Sequence, residues 1–213
     1  RVATPTVLAV PSDIEISVPS EQPAHIFPAT IDMDTGTLIH RYLEAFAVDG
    51  LNHWHAARIQ SLAPQFERFF REQGHDPDDI TAAVCIVQDT LCHALSHEIG
   101  QWVLGPHESA GCEVPLTTLN EDSHDNEDSH DNDDDYQRLV IDRTFIDQGI
   151  RWIIDYKTLR ISTSHTQTLE ATLQAKADSY KPQLQRYAAL YRDEGREIRT
   201  AIFFPAHGKL IEV

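Results

Sequence analysis

Residues 139–157 read LVIDRTFIDQGIRWIIDYK. Two short apolar runs, Leu139-Val140-Ile141 and Trp152-Ile153-Ile154, each end in an aspartate, Asp142 and Asp155. Short β-branched and aromatic runs bounded by polar residues read as strands. Asp147-Gln148-Gly149 between them has the composition of a tight hairpin turn. Pairing across that turn brings the two carboxylates toward each other. Lys157 lies two residues beyond Asp155, so both side chains leave the strand on one face. Two neighbouring carboxylates repel and resist ionisation unless a divalent cation sits between them. A lysine beside them orients a water or offsets the charge of a phosphate. Acid, acid and lysine on a strand edge therefore suit a hard cation facing a phosphodiester. Asp-x-Lys is also a frequent strand pattern, and on these three residues alone a surface ion pair is the commoner reading.

Upstream of this stretch the period is helical. Leu38, Tyr42, Ala45 and Phe46 recur at helix spacing after Asp34, and Gly50 is a stop signal. A second helical stretch runs from Asn52 to Gln73, with a break or kink at Pro64. A third opens at Asp78-Asp79 and carries one apolar stripe from Ile80 through Val87 and Leu95 to Trp102, ended by Gly105-Pro106. Glu113 to Leu119 reads as the first strand. Downstream of Lys157, one long helix is expected from Thr168 to Asp193. Two strands follow, Ile198 to Phe204 and Lys209 to Val213, joined by a turn at Pro205 to Gly208. The expected class is α/β: a central mixed β-sheet flanked by helices, with an N-terminal helical layer.

Residues 1–33 hold five of the eleven prolines and no helical period, so they read as an extended lead-in or linker before one domain over 34–213. Within that domain, EDSHDN occurs twice in succession and is followed by DDD. Residues 121–135 are thus expected to be a disordered acidic hairpin insert. A calcium-loop reading fails on Tyr136, which stands in DNDDDY where that loop needs glycine.

The net charge of −17 argues at first against a nucleic-acid protein, but the charge is uneven. Residues 1–120 carry −11 and 121–135 carry −9, whereas 136–213 carry +3. Contact with a polyanion is expected in the last third, where Arg160, Lys176, Lys181 and Arg186 are candidate phosphate contacts. Three cysteines without CxxC spacing favour a reducing, intracellular (cytoplasmic) setting. No apolar run approaches a membrane span, and no signal-peptide core is present. A start at Arg1 rather than Met reads as a fragment of a longer protein. HALSHE at 93–98 lacks the glutamate inside HExxH, so no zinc site is expected from Cys85, Cys92, His93 and His97, and both cysteines are read as small core residues. No GxxxxGK[ST] is present, and no ATP site is expected in this chain.

GTLIHRYLEAF at 36–46, VIDRTFID at 140–147, WIIDYKT at 152–158, YKPQLQRYAALY at 180–191 and AIFFPAHGKLIEV at 201–213 together resemble the RecB-like nuclease family of the PD-(D/E)XK superfamily. In particular, they resemble the C-terminal domain of UvrD-type helicase-nuclease subunits of the exonuclease V beta or AddA kind. The five motifs keep the family order across residues 34–213.

The resemblance implies a restriction-endonuclease-like core and a Mg²⁺-dependent (or Mn²⁺-dependent) deoxyribonuclease, an exonuclease acting in DNA recombination and repair. It implies His40 as a metal ligand on the first helix, and Asp142 and Asp155 as acidic ligands. Ile141 stands where the motif's proline is usual. Lys157 corresponds to the catalytic lysine, and Tyr156 would offer its backbone carbonyl to the metal. Gln183 and Tyr187 correspond to a QxxxY motif that binds the DNA strand and braces the site. Glu113 is a further candidate acid. The implied partners are single-stranded DNA and UvrD-type helicase domains in the same parent polypeptide, with no membrane association. Some members carry an iron–sulfur cluster on four cysteines; with three here, none is expected. The alternative is a non-catalytic DNA-binding or assembly module with the same fold.

Overall fold

The computed structural model describes residues 30–119, 136–159 and 168–213. The acidic insert at 121–135, Arg160 and all but the last four residues of the lead-in lie outside the described residues. The elements in chain order are α1 (Ile31–Asp49), α2 (Ala56–Ser61), α3 (Ala63–Glu72), α4 (Pro77–Ser96), α5 (Glu98–Leu104), β1 (Glu108–Leu119), β2 (Tyr136–Asp147), β3 (Ile150–Tyr156), α6 (Leu169–Ser179), α7 (Lys181–Ala189), β4 (Ile198–Phe204) and β5 (Lys209–Glu212).

Local signals explain most of the boundaries. Thr30 caps α1 through its hydroxyl, which accepts from the Met33 N–H, and Asp32 and Asp34 sit in the first turn, where the helix dipole favours anions. Gly50, at φ +89°, ends it. The expected break near Pro64 falls at Leu62, between α2 and α3. Two stretches expected to be continuous are divided. The stripe from Ile80 to Trp102 is split at His97, which ends α4 and whose imidazole caps α5 by accepting from the Ile99 N–H. The helix expected to run from Thr168 to Asp193 is split at Tyr180. Pro182 in the first turn of α7 has no N–H to continue α6, and its ring would crowd the carbonyl one turn back.

Among the described residues five strands form one sheet in the order β1-β2-β3-β4-β5. All neighbours are antiparallel except β3 and β4, which are parallel. The β2–β3 hairpin closes at Asp147↔Ile150 through Gln148 and Gly149, at φ +50° and +81°. Two positive-φ central residues match the twist of a hairpin, which is why glycine stands there. One sheet face packs on α1, α3, α4 and α5 through Phe145, Trp152, Ile154, Tyr156 and Phe203. The other packs on α6 and α7 through Leu139, Ile141, Ile153, Ile202 and Phe204. This is the α/β architecture expected from the sequence, with the N-terminal helical layer in place and a restriction-endonuclease-like arrangement of sheet and helices.

One irregularity positions the site. Leu139 and Ile141 belong to the α6–α7 core, yet Phe145 belongs to the helical-layer core. A regular pleat keeps odd-numbered residues on one face, so β2 rolls over between Ile141 and Phe145. Pairing of β2 with β3 stops at Arg143↔Ile154. The two strands therefore fork, and Asp142 is the first residue beyond the fork. β1 follows β2 through the roll: Cys112 pairs with Arg143 and Val114 with Ile141, so Glu113, at φ +47°, lies opposite Asp142. A positive φ at a residue with a side chain costs about 1–3 kcal/mol and is maintained only where the surroundings impose it.

Candidate active site

Where β2 leaves β3, the N–H of Tyr156 donates to Asp142 Oδ2 at 2.6 Å. The carboxylate thus takes a backbone donor at the mouth of the fork, which fixes its direction. Asp142 Oδ1 lies 3.5 Å from His40 Nδ1. His40 comes from α1, whose N-terminal half is brought onto the end of β3 by Gly36: a Cβ there would stand 3.1 Å from Thr158 Oγ1. The His40 ring meets the Tyr156 ring edge-on at 5.7 Å. Donor atoms of His40, Glu113 and Asp142 all lie within 4.8 Å of one another. They line a cleft of about 640 Å³, together with Met33, Thr37 and Glu44.

Asp155 and Lys157 occupy the other side of the fork. Lys157 Nζ sits 2.6 Å from Asp155 Oδ2, with the carboxylate buried and the lysine partly so. Lys157 Nζ also lies 4.4 Å from the centre of the Tyr180 ring. Asp155 is therefore held by the lysine just past the end of its strand and stands next to, not inside, the compact group of three donors.

The electrostatics fit a site short of positive charge. Burial raises the Asp155 pKa above the ordinary carboxylate value, the charge of Asp142 adds to that, and Lys157 opposes it. Glu113 is raised by burial and then by Asp142 and Glu44. Burial works against a charge on His40, but its contact with Asp142 and the charges of Asp142 and Asp155 outweigh burial and raise its pKa. Lys157 is likewise opposed by burial and raised by Asp155. Glu113, Asp155, His40 and Lys157 therefore all hold their protons more tightly than they would in water. A divalent cation relieves the same repulsion.

The remaining candidates fall nearby. Tyr156 is fully buried in the helical-layer core, where burial pushes its phenol well above the usual range. What it is seen to give the site is its amide. Gln183 Nε2 donates to Tyr187 Oη at 2.6 Å, one turn apart on α7, and Tyr187 is buried against the sheet. His93 and His97 stack on each other at 5.4 Å, His93 Nδ1 contacts the Pro205 carbonyl, and Cys85 is exposed rather than packed. Among the described residues Cys85, Cys92, His93 and His97 form no group of metal-ligating atoms. Two contributors escaped the sequence reading. Glu44 follows His40 by four residues, so it shares a helix face with it, a spacing that was readable. Tyr180 reaches Lys157 across the tertiary fold, and no sequence spacing signals that.

A family model for the PD-(D/E)XK nuclease superfamily matches residues 21–211. No curated protein matches the chain. No helix among the described residues is long and apolar enough to cross a membrane.

Proposed function

The chain belongs to the PD-(D/E)XK nuclease superfamily, and from that premise we propose that it is a divalent-metal-dependent deoxyribonuclease, cutting single-stranded DNA exonucleolytically. The observation that carries this reading is the convergence of His40, Glu113 and Asp142 at the strand fork, with the Asp155–Lys157 pair beside them. The donor set suits Mg²⁺ through its carboxylates, and the imidazole makes Mn²⁺ an equally good occupant. His40, Glu113, Asp142 and Asp155 would hold the ion. When bound, it lowers the pKa of a water and offsets charge on the phosphate.

The chain's own groups do the rest. Tyr156, through its amide, keeps Asp142 pointed into the fork. Lys157, held protonated by Asp155, places a positive charge and up to three N–H donors beside the scissile phosphate. The basic last third, including Lys176, Lys181 and Arg186, lies on the chain segment that carries Asp155 and Lys157, and would grip flanking phosphates. The acidic first 120 residues weaken that grip, which favours delivery of the strand by an attached motor. We place the domain accordingly beside UvrD-type helicase domains of one polypeptide, working in recombination and repair.

The test is degradation of end-labelled single-stranded DNA with Mg²⁺ or Mn²⁺. Cleavage by the parent and none by Asp155→Ala or Lys157→Ala supports the proposal. Equal cleavage by all three overturns it. DNA bound but uncut with either ion would favour the non-catalytic binding module.

A further inference from the structure

Among the described residues the Lys157 ammonium has two partners, and they respond differently when a metal ion arrives. The first is Asp155 Oδ2 at 2.6 Å. A carboxylate that turns its oxygens to a divalent cation has less charge to offer an ammonium, and the cation itself repels the lysine. The four-carbon stem of a lysine is flexible, so an ammonium released from its carboxylate disperses over many rotamers. The second partner is the face of Tyr180, whose centre lies 4.4 Å from Lys157 Nζ. Its attraction comes from the ring's quadrupole and is independent of Asp155.

The backbone fixes Tyr180 at this place. It closes α6 and opens α7: its N–H donates to Ala177, and its carbonyl accepts from Leu184. The ring packs against the α6–α7 core. A second ammonium, Lys176 Nζ, lies 5.1 Å from the same ring centre, and among the described residues it has no carboxylate partner. Two like charges at one ring repel, and a polyanion placed beside them removes the repulsion.

We propose that Tyr180 is a positioning residue, which keeps the Lys157 ammonium in the site once Asp155 turns to the metal, and that Lys176 beside the same ring contacts a neighbouring phosphate of the strand. This rests on the nuclease reading and goes beyond it in naming what holds the lysine. Tyr180→Phe keeps the ring and cleaves like the parent. Tyr180→Leu keeps apolar packing without the ring face, and its kcat falls about five- to thirtyfold, with KM changed less than about twofold. Lys176→Ala does the reverse, raising KM about three- to tenfold with kcat nearly intact. Mono- and trifluorinated phenylalanine at position 180 leave the shape of the ring and progressively drain its face, so kcat falls stepwise along that series. A merely structural ring would give a flat series, which overturns the proposal even where Tyr180→Leu fails to fold.

A readout apart from activity is the NMR shift of the Lys157 ε-methylene protons. The Tyr180 ring current moves them upfield, and the shift persists on addition of Mg²⁺ and vanishes in Tyr180→Leu. Loss of the shift on addition of Mg²⁺ would overturn the positioning role. A parent that cuts no DNA would instead overturn the nuclease reading, and the two failures are separately visible.

Discussion

On one side of the fork between β2 and β3 stand His40, Glu113 and Asp142, with donor atoms within 4.8 Å of one another and, among the described residues, no lysine or arginine ion-paired to either carboxylate. On the other side Asp155 brings its own cation, Lys157, two residues on and just past the end of β3. The first half is assembled from three separate elements, α1, β1 and β2, and on the nuclease reading a cation from outside would complete it. The second half is encoded in three consecutive residues at the end of β3 and is neutral within itself. On the nuclease reading proposed above, such a division would put three of the metal's ligands on one side and the lysine that meets the phosphate on the other, with Asp155 shared between the two.

The largest effect is expected at Asp142, which faces the first half and also anchors the fork. Asp142→Asn removes the charge but retains an acceptor for the Tyr156 N–H. Cleavage should fall about a thousandfold or more, with thermal stability close to the parent. Asp142→Ala loses cleavage equally and also strands a buried N–H, costing about 1–3 kcal/mol of stability in denaturant unfolding. Equal stability of the Asn and Ala variants would show that the carboxylate does not hold the fork.

Lys157→Ala tests the division itself. Its kcat should fall about a hundred- to a thousandfold, the scale for removing one group aimed at transition-state charge, while the rise in melting temperature on addition of Mg²⁺ stays. His40→Ala should lose most of that metal-dependent rise. If Lys157→Ala abolished the response to Mg²⁺ as completely as His40→Ala, the two halves would be one unit.

The same division governs how much was readable in the sequence. The second half lies within three residues, Asp155 to Lys157, and strand alternation puts both charged side chains on one face. The hairpin turn at Gln148-Gly149 and the apolar runs were equally local, and they survive in β2 and β3. The family likeness brought in His40, since helix α1 and strand β3 are more than a hundred residues apart in the chain. The roll of β2 at Asp142 left no local trace, because Leu139, Ile141 and Phe145 alternate as in any regular strand and only their packing partners reveal the change of face. The positive φ of Glu113 was unreadable for the same reason, since glutamate does not advertise it. The split of the expected long helix at Tyr180 was legible in principle from Pro182, but proline in a first turn marks a helix start as easily as it marks a kink.

A pH series sharpens the contrast next. His40, Glu113 and Asp155 all have folded-state pKa values raised above their ordinary values of 6.5, 4.5 and 3.8. Each therefore binds its proton more tightly when folded. The stability this brings is fully present below the ordinary value and is lost as pH rises through the raised one. The metal-free protein should lose stability as pH rises above the ordinary carboxyl values of 3.8 and 4.5, through the two carboxyls, and then above the ordinary 6.5, through His40. Mg²⁺ competes with those protons, so the melting-temperature gain it gives should grow across the same window. A gain independent of pH would mean that the ion binds away from these three groups.

The smallest expected effect decides what the α7 pair does for the second half. Gln183 bonds to Tyr187 rather than to Lys157 or either aspartate. Tyr187 is itself buried, with burial raising its phenol and the Gln183 bond opposing that. If the pair is a brace, Gln183→Ala leaves a buried hydroxyl without its partner, and stability falls by about 0.5–1.5 kcal/mol with KM unchanged. If Gln183 gives up Tyr187 to meet the strand, stability moves little and KM for DNA rises a few-fold. The short 2.6 Å bond favours the brace. A displaced amide would have to recover its lost bond from the substrate, whereas a brace keeps it in both states, so the expected result is a loss of stability with KM intact.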